Sequence, residues 1–436
     1  MVRINSALAT AGLFFTTTSA VSTQVASGFA ASDGSISFAL NIPQNDANDD
    51  LYFSMQADAS VSWMAIGMGN NKMDDTLMLM VYADSTGKNV TVSPRLSYGH
   101  TEPSYTKNVT ITVQPGTGIA NGNMAVNAIC SNCRSWNGGK IDPTNPVAKF
   151  IFATGPDGSI NSNSGSANIK RHSTYGAFTM DLTKAVGAAQ IPNIATSDSS
   201  GTIQTQDQTD HDFSAPLHAC AMILAFVGLM PAGVLILRVL KSPKWHGYNQ
   251  TVSAALAILG AILGIYAGTM YNRSRNWNSA HQIFGTFIIV AMIGQFVVGF
   301  MHHRIYKQTQ APTKLAPYHV WLGRLIIPAG IINGFLGFPL ALNSKYNWAL
   351  LALTLLMVIV FGPIMFWRWK QNANKSPLGN TSDSDGYQNQ PWNSGPSSSN
   401  IGLGGYNGQR DYPPLPMNYP PPNYNNQTPT QGRNFV

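Results

Sequence analysis

Nine histidines occur in the 436 residues, and four of them stand at the mouths of long apolar runs. His218 lies just inside the start of a run at about 216–239, and His246 just before one at about 249–271. His281 opens a run at about 282–301, and His319 opens one at about 318–342. An imidazole binds a metal through one ring nitrogen while a hydrogen bond on the other fixes its orientation. A six-coordinate iron porphyrin needs two such rings facing each other across a gap, and helical bundles build such sites from facing side chains. The chemistry available to the four histidines therefore depends on whether they fall in pairs.

The elements that would position them are five apolar segments, the fifth at about 347–367. Each has roughly the 20 residues that cross about 30 Å of hydrocarbon as a helix. Arg238, Lys241 and Lys244 lie in the first loop, Arg304, Lys307 and Lys314 in the third, and Arg368 and Lys370 follow the fifth segment. Arg273, Arg275 and Lys345 form the smaller opposing set, so the positive-inside rule puts the first, larger set in the cytosol. On that topology His218 and His281 share the outer level, and His246 and His319 share the inner one. Two same-depth pairs on alternate helices are the expected result. His302 and His303, at the cytosolic end of the third segment, remain rivals for the inner position. Arg324 suits either a haem propionate or anionic donor, or an ordinary positive-inside anchor.

From Phe213 to Ser382 there is no Asp or Glu, whereas Asp33 to Asp212 holds 16 acidic and 10 basic residues. A proton-coupled transporter calls for an intramembrane carboxylate or an equivalent relay, so electrons fit this half better than ions. The net charge of +7 is spread between apolar runs and not gathered in a patch, which argues against nucleic acid as a partner. Residues 1–24 have Arg3, a short apolar centre and small residues near Ala20, the pattern of a cleaved signal peptide, with the mature chain expected to start between Val21 and Ala30. The NVT triplets at Asn89 and Asn108 are then possible glycan acceptors.

Residues 30–188 alternate apolar and polar in short runs such as SISFALNI, LYFSMQAD, VSWMAIGMG, TLMLMVYAD and NVTITVQ, which predicts an antiparallel sandwich. Residues 189–214 are Ser/Thr/Gln/Asp-rich without periodicity and predict a flexible linker, with His211 solvated. Residues 215–370 hold the five membrane helices, and 371–436 form a low-complexity tail expected to be disordered and cytosolic. The fold class is thus a multi-domain one, an extracellular all-β sandwich joined to an all-α bundle of five transmembrane helices. Cys130 and Cys133 form a CxxC, by default a disulfide in an exported domain although the spacing also suits a redox or metal pair. Cys220 is expected in buried packing.

Two resemblances rest on these residues. HACAMILAFVGLMPAGVLILR, WHGYNQTVSAALAILG, AHQIFGTFIIVAMIGQFVVGF and HVWLGR resemble the membrane domain of the cytochrome b561 and ferric reductase family, in the form fused to an extracellular DOMON domain. The resemblance implies two haems b, the outer on His218 and His281 and the inner on His246 and His319. WMAIGMGNNKMDDTLMLMVYAD and RHSTYGAFTMDLT resemble the cytochrome domain of fungal cellobiose dehydrogenase, which implies a third haem on Met73 and His172. Met68 stays as a rival, because Gly69 to Met73 is one residue longer than the family's spacing. Cys130 and Cys133 also match that family.

The function implied is transmembrane electron transfer in a membrane of the secretory pathway or the plasma membrane. A cytosolic reductant such as ascorbate would be the donor, and a ferric or cupric chelate or a secreted oxidoreductase the acceptor. A Met/His pair raises haem potential relative to two histidines, which favours outward flow. The opposite direction, from a secreted partner inward, is compatible with the same wiring. The alternative class is a membrane-anchored sensor whose sandwich binds a sugar or phenolic ligand. No flavin, nicotinamide, hydrolase or nucleophilic-triad pattern appears.

Overall fold

The computed structural model describes residues 25–44 and 48–373. The expected signal peptide and the tail from residue 374 lie outside the described residues. Sixteen strands are described, and most of them build two facing sheets.

The first sheet contains β1 (Ser27–Ala30), β2 (Ser37–Pro43), β3 (Leu51–Asp58), β8 (Thr110–Val113), β9 (Gly118–Ala120), β10 (Asn123–Ser131) and β15 (Val186–Gly187). Its order is β1-β2-β3-β10-β8, with β15 parallel to β2 and β9 beside β10. The second contains β4 (Met64–Met68), β5 (Thr76–Ala83), β6 (Val90–Ser97), β7 (Ser104–Tyr105), β13 (Ala148–Thr154), β14 (Thr174–Met180) and β16 (Ile203–Thr209). Its order is β16-β14-β13-β4-β5-β6-β7. β11 (Ser135–Trp136) and β12 (Gly139–Lys140) form a separate hairpin.

The two-residue period decides what each face carries. In β10, Met124, Val126, Ala128 and Cys130 point inward and are buried, while their neighbours are half-exposed. β5 is buried on both faces: Leu77, Leu79 and Val81 enter the core between the sheets, and Met78, Met80 and Tyr82 join a second cluster on the outer face. Phe29 stacks on Phe178 at 3.7 Å in the inter-sheet core, where each buried aromatic contributes about 1.5–3 kcal/mol. Cys130 and Cys133 are buried and joined as a disulfide, their Cα atoms 5.7 Å apart, at the end of β10.

The segment expected to be a flexible linker is largely structured. β16 pairs antiparallel with β14, and Ser27 bridges Asp198 in parallel. Composition hid this strand because it is an edge strand with most side chains exposed, so no apolar alternation marks it.

Five helices long and apolar enough to cross a membrane follow: Ser214–Leu240, Pro243–Met270, Ala280–Thr309, Ala316–Leu340 and Ser344–Gln371. The second starts six residues before the expected apolar boundary because Pro243 takes the first helical turn, where its missing N–H is no loss. The first contains a π turn, Leu224–Leu229, near which Asn249 donates to the Leu229 carbonyl and Gln250 to that of Met230. Small residues let the helices approach: Ala257 is fully buried and Gly260 meets Ala221. Leu259, Ile262, Phe287, Val290 and Ile359 point off the bundle, as lipid-facing side chains must. Cys220 is exposed on the first helix and does not pack inside, contrary to expectation. The chain is a multi-pass membrane protein with an all-β sandwich ahead of its helices.

Candidate functional site

The four histidines each sit within the first two turns of a spanning helix. Their rings pair by depth: His218 lies 5.9 Å from His281 and His246 lies 6.4 Å from His319, centroid to centroid, with both pairs near perpendicular. Two metal–nitrogen bonds of about 2 Å, each prolonged by roughly 1 Å to the ring centre, set imidazole centroids about 6 Å apart. Both separations fit two imidazoles on one iron.

The other ring nitrogen is fixed in the same way four times. Nδ1 of His218 bonds the Gly260 carbonyl at 2.6 Å, that of His246 the Gly233 carbonyl at 2.7 Å, that of His281 the Asn333 carbonyl at 2.9 Å and that of His319 the Gln295 carbonyl at 3.3 Å. A carbonyl only accepts, so Nδ1 carries a proton and Nε2 is the nitrogen left to face a ligand. Each bond runs to a neighbouring helix, so helix packing aims the ring before any metal is bound. The 18 residues from His281 to Gly299, against which His319 packs, span about 27 Å at 1.5 Å per residue, which separates the two levels by most of a bilayer.

Around His319 there is a third ring. His302 is buried 6.5 Å away, and its Nδ1 meets the Thr313 hydroxyl at 2.5 Å. His246 shares the carbonyl pattern of the other three, and His303 is exposed. Arg324 is exposed and lies over the Trp321 ring at 4.9 Å.

In the sandwich, Met73 and His172 belong to opposite ends of the second sheet. The register pairs Thr154 with both Thr174 and Met64, so His172 lies at the Met64 end of β4, while the turn that carries Met73 follows Met68 at the other end. Met73 packs on the cluster of Trp63, Ala65, Met78 and Met80. Burial lowers the His172 pKa to about 4, against the pull of Asp210, so the ring is neutral. Its buried Nδ1 has no hydrogen-bond partner, and the Asp210 carboxylate stands 3.9 Å off. A neutral, half-buried imidazole with an orphaned Nδ1 suits a ligand that the polypeptide itself does not supply. Met68 is different: strand alternation turns it, with Met64 and Ile66, into the inter-sheet core, where it is fully buried. A cavity of about 210 Å³ beside Gly69 is lined by Lys140, Asp142 and Lys149, and neither Met73 nor His172 borders it.

Comparison with known proteins bears on both halves. Residues 10–190 match the cytochrome domain of cellobiose dehydrogenase, and residues 198–304 match a domain of unknown function, DUF2427. A cytochrome b561 and DOMON domain-containing protein of Arabidopsis thaliana is 28% identical over 202 residues, covering 44% of this chain and 46% of that one. The chain joins a sandwich similar to a known cytochrome domain to a five-helix membrane domain, and over 202 residues it resembles a cytochrome b561 and DOMON domain-containing protein. The matched region spans about half the length of that curated relative. Among solved structures, the cytochrome b domain of pyranose dehydrogenase from Coprinopsis cinerea is 22% identical, with a TM-score of 0.34, 37% of this chain and 83% of that one covered. The cytochrome domain of Myriococcum thermophilum cellobiose dehydrogenase is 16% identical, with a TM-score of 0.31, 38% and 92% covered.

The b561-type half of the fusion also contains residues that the histidine pattern does not reveal. A Cβ on Gly264 would lie 2.6 Å from His218, one on Gly337 2.8 Å from His281, and one on Gly299 2.5 Å from His319. In all three cases the carbonyl that receives the histidine belongs to the residue four positions earlier, Gly260, Asn333 or Gln295. The sequence signal is a glycine one helical turn after the accepting residue, as in GAILG, NGFLG and QFVVG. In the DOMON half, Asn89 and Asn108 are both exposed, as glycan attachment requires.

Proposed function

We propose that the fusion transfers electrons across a membrane, using b-type haems held by His218 with His281, by His246 with His319 and by Met73 with His172. The single observation that carries this reading is the repeated geometry in the bundle: two imidazole pairs at two depths, every Nδ1 tied to a neighbouring helix. Bound haem would supply one-electron exchange between ferric and ferrous iron. The chain's own residues aim the rings, and the lipid-facing helices keep water from the path.

The inner level faces the cytosol by the positive-inside rule, so a small reductant such as ascorbate is the proposed donor there. The outer level adjoins the sandwich, where Met73 and His172 would hold the third haem. A ferric or cupric chelate or a secreted oxidoreductase is the proposed acceptor, with electrons moving outward.

Haem content and reduced-minus-oxidised spectra of the purified full-length protein test this reading. Three haems per chain are expected, with His319→Ala and His281→Ala each losing a membrane haem and His172→Ala losing the third. Two haems, with Met73→Ala and His172→Ala silent, would leave a b561-type core under a ligand-binding cap. No haem in a folded preparation would refute the electron-transfer reading.

A further inference from the structure

The chain contains a single glutamate, Glu102, and it is buried where the sandwich meets the bundle, its side chain 2% exposed. Its Oε1 accepts from the Ile169 amide at 3.3 Å and lies 3.4 Å from the Arg95 guanidinium. Its Oε2 accepts from the Asn272 amide at 2.9 Å and lies 3.8 Å from Arg273. Its backbone N–H donates to the carbonyl of Met270, which ends the second spanning helix, at 2.9 Å. Arg95 is equally enclosed, with its Nη2 donating to the Ala167 carbonyl at 2.6 Å.

Arg273 reaches both ways. Its Nε donates to the Leu340 carbonyl at 2.7 Å and its Nη1 to the Ile169 carbonyl at 2.8 Å. Leu340 ends the fourth span three residues after Gly337, the glycine against which His281 packs. Ile169 lies three residues before His172. One guanidinium thus joins the segment leading to His172 to the helix end beside His281. Lys170 Nζ adds a bond to Asn343 Oδ1 at 2.8 Å, and the Tyr271 hydroxyl donates to Asp212 at 2.6 Å. Charges taken out of water are unfavourable unless paired and hydrogen-bonded, and both conditions are met here. A loosely tethered sandwich would have no use for such a seam.

We propose that Glu102 and Arg273 are positioning residues: with Arg95 they form a buried clamp that docks the sandwich on the outer loops of the bundle and holds the Met73–His172 site at one fixed distance from the His218–His281 site. The proposal rests on the electron-transfer reading above.

Hydrogen exchange on the full-length holoprotein reads the clamp without using activity. The amides of Ile169 and Asn272, both donated to Glu102, should exchange as slowly as those of β5 and β13. Stopped-flow reduction with ascorbate then reads its consequence: in Glu102→Gln and Arg273→Gln, reduction of the sandwich haem should slow by about tenfold or more, since a displacement of about 1 Å can cost 10²-fold. Haem content and midpoint potentials should match the parent, and Arg273→Lys should recover part of the rate by restoring one carbonyl bond. Fast exchange at both amides in the parent overturns the proposal, as do parental rates in both glutamine variants. Should those variants fail to assemble, exchange in the parent decides alone. A parent with no sandwich haem but with both amides protected refutes the three-haem relay and leaves the clamp as an interdomain lock.

Discussion

Gly299→Ala tests the histidine geometry with a single added methyl. The new Cβ would lie 2.5 Å from Cε1 and 2.8 Å from Nδ1 of His319, whereas ordinary carbon contacts start at about 3.5 Å, so the ring must retreat by about 1 Å. That retreat weakens the 3.3 Å bond to the Gln295 carbonyl and changes the position of His319 relative to His246. Overpacking of this size costs about 1–3 kcal/mol, or roughly 5- to 150-fold in the balance between ligated and displaced imidazole. Gly294→Ala on the same helix is the control, because nothing lies within 4 Å of its added Cβ. The assay is low-spin haem content by electron paramagnetic resonance and optical redox difference. Gly299→Ala should weaken the signal that His319→Ala removes, while Gly337→Ala and Gly264→Ala should weaken the other membrane signal. If Gly299→Ala matches Gly294→Ala in spectrum and haem content, the reasoning from helix packing to ligand geometry is wrong.

Three further outcomes follow from the same structure. Met68→Ala should destabilise the protein by about 2–5 kcal/mol in denaturant unfolding without changing any haem spectrum, because Met68 is fully buried in the inter-sheet core. Met73→Ala should do the reverse, abolishing the sandwich haem's low-spin spectrum with little loss of stability. His246→Ala should remove one membrane haem, whereas His303→Ala, an exposed position, should leave both, as measured by haem per chain. Replacing Cys130 and Cys133 by serine should cost about 2 kcal/mol, the loop-closure value for so short a ring, read as a lower denaturation midpoint.

Most of the architecture was legible because it is written in period and length. The strands around Phe38 and Phe53 alternate, and the five apolar runs are of spanning length. His246 was harder: Lys244 and Trp245 break the apolar run, and only the placement of Pro243 at the first turn shows that the helix has already begun. β16 carries no apolar pattern because an edge strand exposed on both faces needs no apolar residues. The glycines beside His218, His281 and His319 carry no periodic signal, since their role is the absence of a side chain. Glu102 and Arg273 lie far apart in sequence, and composition cannot bring them together. A lone glutamate in 436 residues was the one available hint.

Proteoliposomes loaded with ascorbate, with ferricyanide outside, test electron passage across the membrane most directly. The relay predicts sustained ferricyanide reduction by the parent protein, lost in His281→Ala and in His319→Ala. Haem-replete protein that reduces ferricyanide no faster than protein-free vesicles, in either orientation, would contradict transmembrane electron transfer.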